Sequence, residues 1–210
     1  MGESNYRLHN PQCREIMQGS VDGMMQGYAL VSASIRERTD KLCGIMDDYR
    51  KHGFQMKAIQ KWEGKSKGAK YVYENRYELY NESMKLIKSK KKNAKADFVL
   101  RWVQVPGLGP VKASFVAQLM AGWVGCIDVH NIRKYLPDED PKKGTPSRWQ
   151  CAGLSIETQR KKVVDYIEFC ERVGGPKVLW DQWCNARPLE MPKLIDGEYL
   201  SGLHPQWLTA

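Results

Sequence analysis

The chain has little of what marks a membrane protein, a secreted protein or a metal protein. Its longest stretch without charge, 113–127, is fifteen residues and is broken by Ser114, Gln118, Gly122 and Gly125. A spanning helix needs about 20 apolar residues, so no membrane helix is expected. The opening residues Met1-Gly2-Glu3-Ser4-Asn5-Tyr6-Arg7 show no apolar core behind a basic patch and no small-residue cleavage site. The expectation is a cytoplasmic protein. There are six cysteines, Cys13, Cys43, Cys126, Cys151, Cys170 and Cys184, far apart and with no Cys-x2-Cys pair. Reduced thiols are expected rather than a disulfide framework. The four histidines, His9, His52, His130 and His204, are scattered too, so no structural transition metal is expected. Few segments alternate with period two, and no repeat of fixed period is visible.

What is present is a 210-residue chain, 42% hydrophobic and 27% charged, with the composition of an ordinary globular protein. Its net charge is +9, and the excess is uneven: residues 51–100 hold thirteen basic and five acidic side chains, a local net of +8. Such a patch suits a polyanion, whose counterions are released on binding. A solvated lysine-rich helix face accounts for the same charges.

Apolar residues recur three and four apart, which predicts an all-α fold. One stripe runs through Val21, Met24, Met25, Tyr28, Leu30, Val31 and Ile35, and a second through Leu42, Ile45, Met46 and Tyr49. They read as two core-facing helices divided near Thr39-Asp40. Gly64 and Gly68, with lysines between them, predict a basic loop over 62–68. Tyr71, Tyr73, Tyr77 and Tyr80 interleave with Arg76, Lys85 and Lys88, a mix that packs with polar tips in water or stacks on bases. A basic run at 88–95 leads into an apolar helix over 96–103. The prolines and charges of 137–146 predict a loop. A long helix follows over 155–173, with Ser155 as cap, Glu157 in its first turn and Gly174-Gly175-Pro176 as its stop. A short apolar piece (Val178, Leu179, Trp180, Trp183) then gives way to an irregular tail. The chain thus reads as one helical unit in three parts: 1–92, 93–136 and 137–210.

Between two apolar helical stretches lies Val105-Pro106-Gly107-Leu108-Gly109-Pro110-Val111-Lys112-Ala113. Gly107 and Gly109, two apart, permit a sharp turn with exposed amides, and Pro110 suits the first turn of a following helix. The free amides and the positive dipole end of that helix would face a phosphate. A plain turn between helices is the simpler account. About fifteen residues later comes Gly125-Cys126-Ile127-Asp128-Val129-His130-Asn131-Ile132-Arg133, where Asp128 is placed to cap a helix starting at Val129.

Together these two segments resemble the helix-hairpin-helix DNA glycosylase superfamily, whose Leu-Pro-Gly-Val-Gly-type hairpin is followed by an Asp-x-His-x-x-Arg segment. Asp128, His130 and Arg133 fill that pattern, and the close resemblance covers 98–135. It implies an all-α, helix-hairpin-helix DNA glycosylase-like fold and double-stranded DNA as partner. It further implies Asp128 as the catalytic carboxylate, Gly107, Gly109, Lys112, His130 and Arg133 as DNA- or phosphate-binding residues, and hairpin carbonyls able to hold a monovalent cation. One departure stands out. Bifunctional members carry a Schiff-base lysine where this chain has Val111, with Lys112 one step later. A one-residue shift turns a helical side chain by about 100°, so Lys112 is expected to point elsewhere, to phosphate or solvent, and no lyase chemistry is expected.

The wording Lys112-Ala113-Ser114-Phe115-Val116 and 124–131 is also similar to the glycosylase-related proteins of bacteriophages that build thymidine hypermodifications. That branch implies an amino acid:DNA transferase acting, in the host cytoplasm, on phosphorylated 5-hydroxymethyluracil in DNA, with a free amino acid, glycine foremost, as donor. Asp128 would then be base or amine anchor, and Lys112 and Arg133 would hold the leaving phosphate. The alternatives are a monofunctional glycosylase excising a modified or damaged base, and a DNA-binding module without catalysis. Trp149, Trp180 and Trp183 read as core in preference to a base pocket. His130 can contact the DNA backbone or pack against the second helix. Arg148 and Arg187 are phosphate candidates or plain surface arginines, and Cys126 reads as a buried apolar side chain.

Overall fold

The computed structural model describes residues 5–35, 41–140 and 145–186. Among them all regular structure is helical, as the periodicity implied, and no helix is long and apolar enough to cross a membrane. The elements are α1 (Asn5–Gly19), α2 (Val21–Ala33), α3 (Leu42–His52), α4 (Lys57–Gln60), α5 (Glu63–Glu74), α6 (Arg76–Ile87), α7 (Ala94–Val103), α8 (Pro110–Ala121), α9 (Val129–Tyr135), α10 (Ile156–Arg172) and α11 (Gly175–Ala186). Single 3-10 turns follow α3 and precede α10.

Helix α2 is the central post. Ser20 caps it by accepting the Gly23 amide at 2.9 Å, and every residue from 23 to 33 is buried. A helix apolar on all sides needs neighbours on all sides, and α1, α3, α5, α6 and α8 supply them. The core aromatics meet on it: Tyr28 stacks on Trp102 of α7 at 6.2 Å and meets Phe54 edge-on at 5.7 Å. The buried Trp102 indole donates to Ser83 of α6 at 3.1 Å, so burying its one polar atom leaves no unmet donor.

Helices α7 and α8 pack against each other through the tight turn at 104–109, and Phe98 in the middle of α7 meets Trp123 just past the end of α8, with ring centroids 5.9 Å apart. Outer helices brace this pair. Arg101 of α7 binds Glu82 and Glu78 of α6 and the Tyr71 hydroxyl of α5, while Arg160 and Glu171 of α10 pair with Asp97 and Lys95.

Two expectations change. The basic loop over 62–68 is instead the start of α5, and its glycines are contact points in place of breaks. A Cβ on Gly68 would collide with the Pro106 carbonyl and stand 2.6 Å from the Tyr28 hydroxyl; one on Gly107 would stand 2.6 Å from the Gly64 carbonyl. Glycine here lets the backbone of α5 lie directly on the turn. The second change is at 175–186, where the short apolar piece extends into the full helix α11. It forms because Trp180 has Phe115 of α8 to pack on, with ring centroids 6.5 Å apart. The α10 cap at Ser155 and the stop at Gly174 follow the sequence reading, while the expected division near Thr39-Asp40 lies outside the described residues. The tail from 187 and residues 141–144 lie outside the described residues.

Gly68→Ala forces a methyl into a backbone contact, and overpacking of this kind costs about 1–3 kcal/mol. Urea unfolding of the variant is expected to show that loss with an unchanged slope, whereas Lys67→Ala, exposed on the same helix, leaves the midpoint within about 0.5 kcal/mol of wild type.

Candidate active site

The site grows from the turn at 104–109. Leu108 donates to the Val105 carbonyl at 3.0 Å, and Gly107 takes a positive φ of 81° that permits the bend. Gly109 caps α8 in extended conformation, with Pro110 at the first helical position. Its carbonyl accepts the amides of Lys112 and Ala113 at 3.0 and 2.9 Å. Among the described residues the amides of Gly107, Gly109 and Val111 meet no acceptor, and the positive end of the α8 dipole lies behind them. The Val111 side chain is buried.

Past α8 the chain turns at Gly122, in the left-handed region, and runs without regular structure to Asp128. Side chains from three helices hold this segment. Gln118 of α8 accepts the Cys126 amide and donates to the Pro176 carbonyl, both at 2.9 Å. The Tyr166 hydroxyl of α10 accepts the Ile127 amide at 2.8 Å and donates to the Gly125 carbonyl at 2.9 Å. The Asn131 side-chain amide, wholly buried on α9, donates to the Cys126 carbonyl at 3.0 Å, to Asp128 Oδ1 at 3.1 Å and to the Leu179 carbonyl at 3.3 Å.

Asp128 ends this segment as the N-cap of α9, the role its position predicted. All its described hydrogen bonds fall on one oxygen: Oδ1 accepts the His130 amide (3.1 Å), the Asn131 amide (2.9 Å) and the Asn131 side chain. Among the described residues Oδ2 has no partner. Capping and chemistry are thus divided between two atoms of one carboxylate. Burial raises the Asp128 pKa above its ordinary value, against the opposing pull of the Asn131 amide, the His130 and Lys112 charges and the His130 amide. A carboxylate made more basic in this way is a better proton acceptor than one in water.

The Lys112 Nζ donates to Ser34 Oγ at 2.9 Å and lies 5.5 Å from the Phe115 ring centroid, and its charge acts on both Asp128 and Cys126. Ser34 in turn donates to the Val31 carbonyl at 2.7 Å, so the ammonium is held at the negative end of α2. Lys112 and Asp128 make no direct ion pair. His130, partly exposed, and Arg133, exposed, stand three apart on one face of α9. Burial pushes the Cys126 thiol up to about 12, which leaves it an unreactive thiol.

The remaining candidates divide as follows. Trp149 is fully buried against Tyr166, with centroids 4.9 Å apart, and its indole donates to Asp165 at 2.6 Å; Trp180 is buried as well. Arg148 stacks on the Trp149 and Phe169 rings at 4.3 and 4.9 Å. Arg187 and the Trp183 side chain lie outside the described residues. No described group of three or more histidine, cysteine or acidic side chains can hold a metal ion. The turn offers only neutral carbonyls, a donor set that suits a monovalent cation. No protein-family model, curated protein or solved structure matches the chain.

Sequence reasoning passed over Ser34, Gln118, Asn131 and Tyr166. Only Asn131 left a local trace, three residues after a capping Asp. Ser34 is 78 residues from Lys112 and gave no signal.

Asn caps a helix about as well as Asp, so Asp128→Asn is expected to unfold in urea within about 1 kcal/mol of wild type at pH 7. Asn131→Ala leaves the Cys126 and Leu179 carbonyls without their donor and is expected to cost about 1–3 kcal/mol. Because the folded-state pKa of Asp128 is raised, the folded chain binds its proton more tightly than the unfolded one. Wild-type stability therefore falls as pH rises from the ordinary carboxylate value through the raised one, and Asp128→Asn lacks that component of the fall.

Proposed function

We propose that the chain is a DNA base-modifying transferase of the bacteriophage kind, which attaches an amino acid, glycine foremost, to phosphorylated 5-hydroxymethyluracil in double-stranded DNA in the cytoplasm. The observation that carries this reading is the divided carboxylate of Asp128: Oδ1 saturated by α9, Oδ2 open among the described residues and made basic by burial, within the field of Lys112 in the first turn of α8. At the position where a lysine nucleophile would stand, Val111 is buried, and the Lys112 ammonium is engaged by Ser34.

In the reaction, the amine nitrogen attacks the 5-methylene carbon of the flipped-out base. The carbon–oxygen bond to phosphate breaks, the phosphate leaves with the electron pair, and Asp128 Oδ2 takes the proton released by the amine. The glycosidic bond is untouched. The amides of Gly107, Gly109 and Val111 hold a backbone phosphate at the start of α8. Lys112 and Arg133 offset charge on the leaving phosphate, and His130 contacts the DNA backbone.

A monofunctional glycosylase is the second reading, since Oδ2 can equally direct a water to the sugar.

The test is mass spectrometry of nucleosides digested from duplex DNA bearing phosphorylated 5-hydroxymethyluracil after incubation with protein and mixed amino acids. The transferase reading expects a nucleoside that has gained one amino acid and lost phosphate. Release of free base selects the glycosylase, and unchanged DNA leaves only a binding module. Asp128→Asn is expected to lower the rate at least 100-fold with duplex affinity unchanged, and borohydride is expected to trap no protein–DNA adduct. Activity should also decline on the acid side, with a midpoint above the pKa of an ordinary aspartate.

A further inference from the structure

The turn at 104–109 is not the most basic end of the molecule. Between 85 and 95 lie Lys85, Lys88, Lys90, Lys91, Lys92 and Lys95, six lysines in eleven residues with no acidic residue among them. All six are exposed, and among the described residues only Lys95 has an ionic partner, Glu171 at 2.9 Å.

These lysines stand on defined backbone. The Lys88 and Ser89 amides donate to the Met84 and Leu86 carbonyls at 3.1 and 3.0 Å, the Lys91 amide to Ser89 Oγ at 3.2 Å, and the Ala94 amide to the Lys91 carbonyl at 3.0 Å. The segment is a set of closed turns leading into α7. The lysines therefore project from fixed positions at one end of that helix, while the 104–109 turn occupies the other. Ten helical residues separate the two, about 15 Å at 1.5 Å per residue. No single phosphate can touch both.

The patch also has a chemical character. No residue of 85–95 is among the exposed large hydrophobic side chains, and no arginine or aromatic residue lies within it. Protein interfaces are built round an apolar or aromatic core and are poor in lysine. A duplex backbone needs none of this: point charges that displace counterions suffice.

We infer that the 85–95 lysine turns form a second duplex-DNA contact, separate from the 104–109 turn, which supplies sequence-independent affinity. The inference rests on DNA being the substrate, as proposed above. A separation of about 15 Å corresponds to four or five phosphates along one strand at ~3.4 Å each, so one duplex can reach both ends of α7 at once. The lysine end holds the DNA and the turn end places the target nucleotide beside Asp128.

The test compares wild type with the Lys90→Gln/Lys91→Gln/Lys92→Gln variant in binding to unmodified duplex DNA across a salt series. Three lost phosphate contacts are expected to make the slope of log K against log salt shallower by about 2–3, and to weaken binding at least tenfold at about 0.1 M salt. The rate on saturating modified duplex is expected to stay as in wild type. A wild type that binds with a variant of equal slope and affinity overturns this inference and leaves the proposed function standing. A wild type that does not bind duplex DNA overturns both.

Discussion

One buried amide organises the candidate site. The Asn131 side chain reaches the carbonyl ahead of Asp128, the carboxylate of Asp128 and the backbone of α11. It is thus the point where the segment after α8, the start of α9 and the last described helix are fixed to one another. Its donors sit where water is excluded, so each bond it makes is costly to lose. The consequence for chemistry is selective. By occupying Oδ1 together with two backbone amides, Asn131 sets the rotation of the carboxylate and decides which oxygen remains for a substrate.

The second organising constraint is electrostatic. Asp128 is buried enough to become more basic, yet it is kept within the field of Lys112 and His130. Lys112 approaches without closing an ion pair because the end of α2 holds its ammonium at Ser34. A direct pair would have lowered the carboxylate pKa and covered the open oxygen. The central post of the fold therefore also sets the charge state of the site. The region before α2's end and the region after α8's start, distant in the chain, contribute to one function.

Much of this was legible in the sequence, for identifiable reasons. The helices written in apolar residues three and four apart, the α8 start at Pro110, the α10 cap at Ser155 and the Asp128 cap are local features, and local rules found them. What stayed hidden depends on contacts between distant segments. Gly64 and Gly68 looked like breakers because nothing nearby in sequence shows the turn at 104–109 arriving on top of them. Helix α11 looked short because its stabilising partner, Phe115, is 65 residues away from Trp180. The Lys112 contact to Ser34 spans 78 residues and has no local signature.

The contact between α5 and the turn divides that helix into two kinds of position. At Gly68 a hydrogen atom is all that fits, since the opposing group is a peptide carbonyl that cannot swing aside as a side chain can. One residue before it, Lys67 faces solvent and shares only an exposed ion pair with Glu63. A library randomised across 63–74 would keep glycine at 68, hold Ala69 and Val72 to side chains that fit the core, and vary freely at exposed positions such as Lys67.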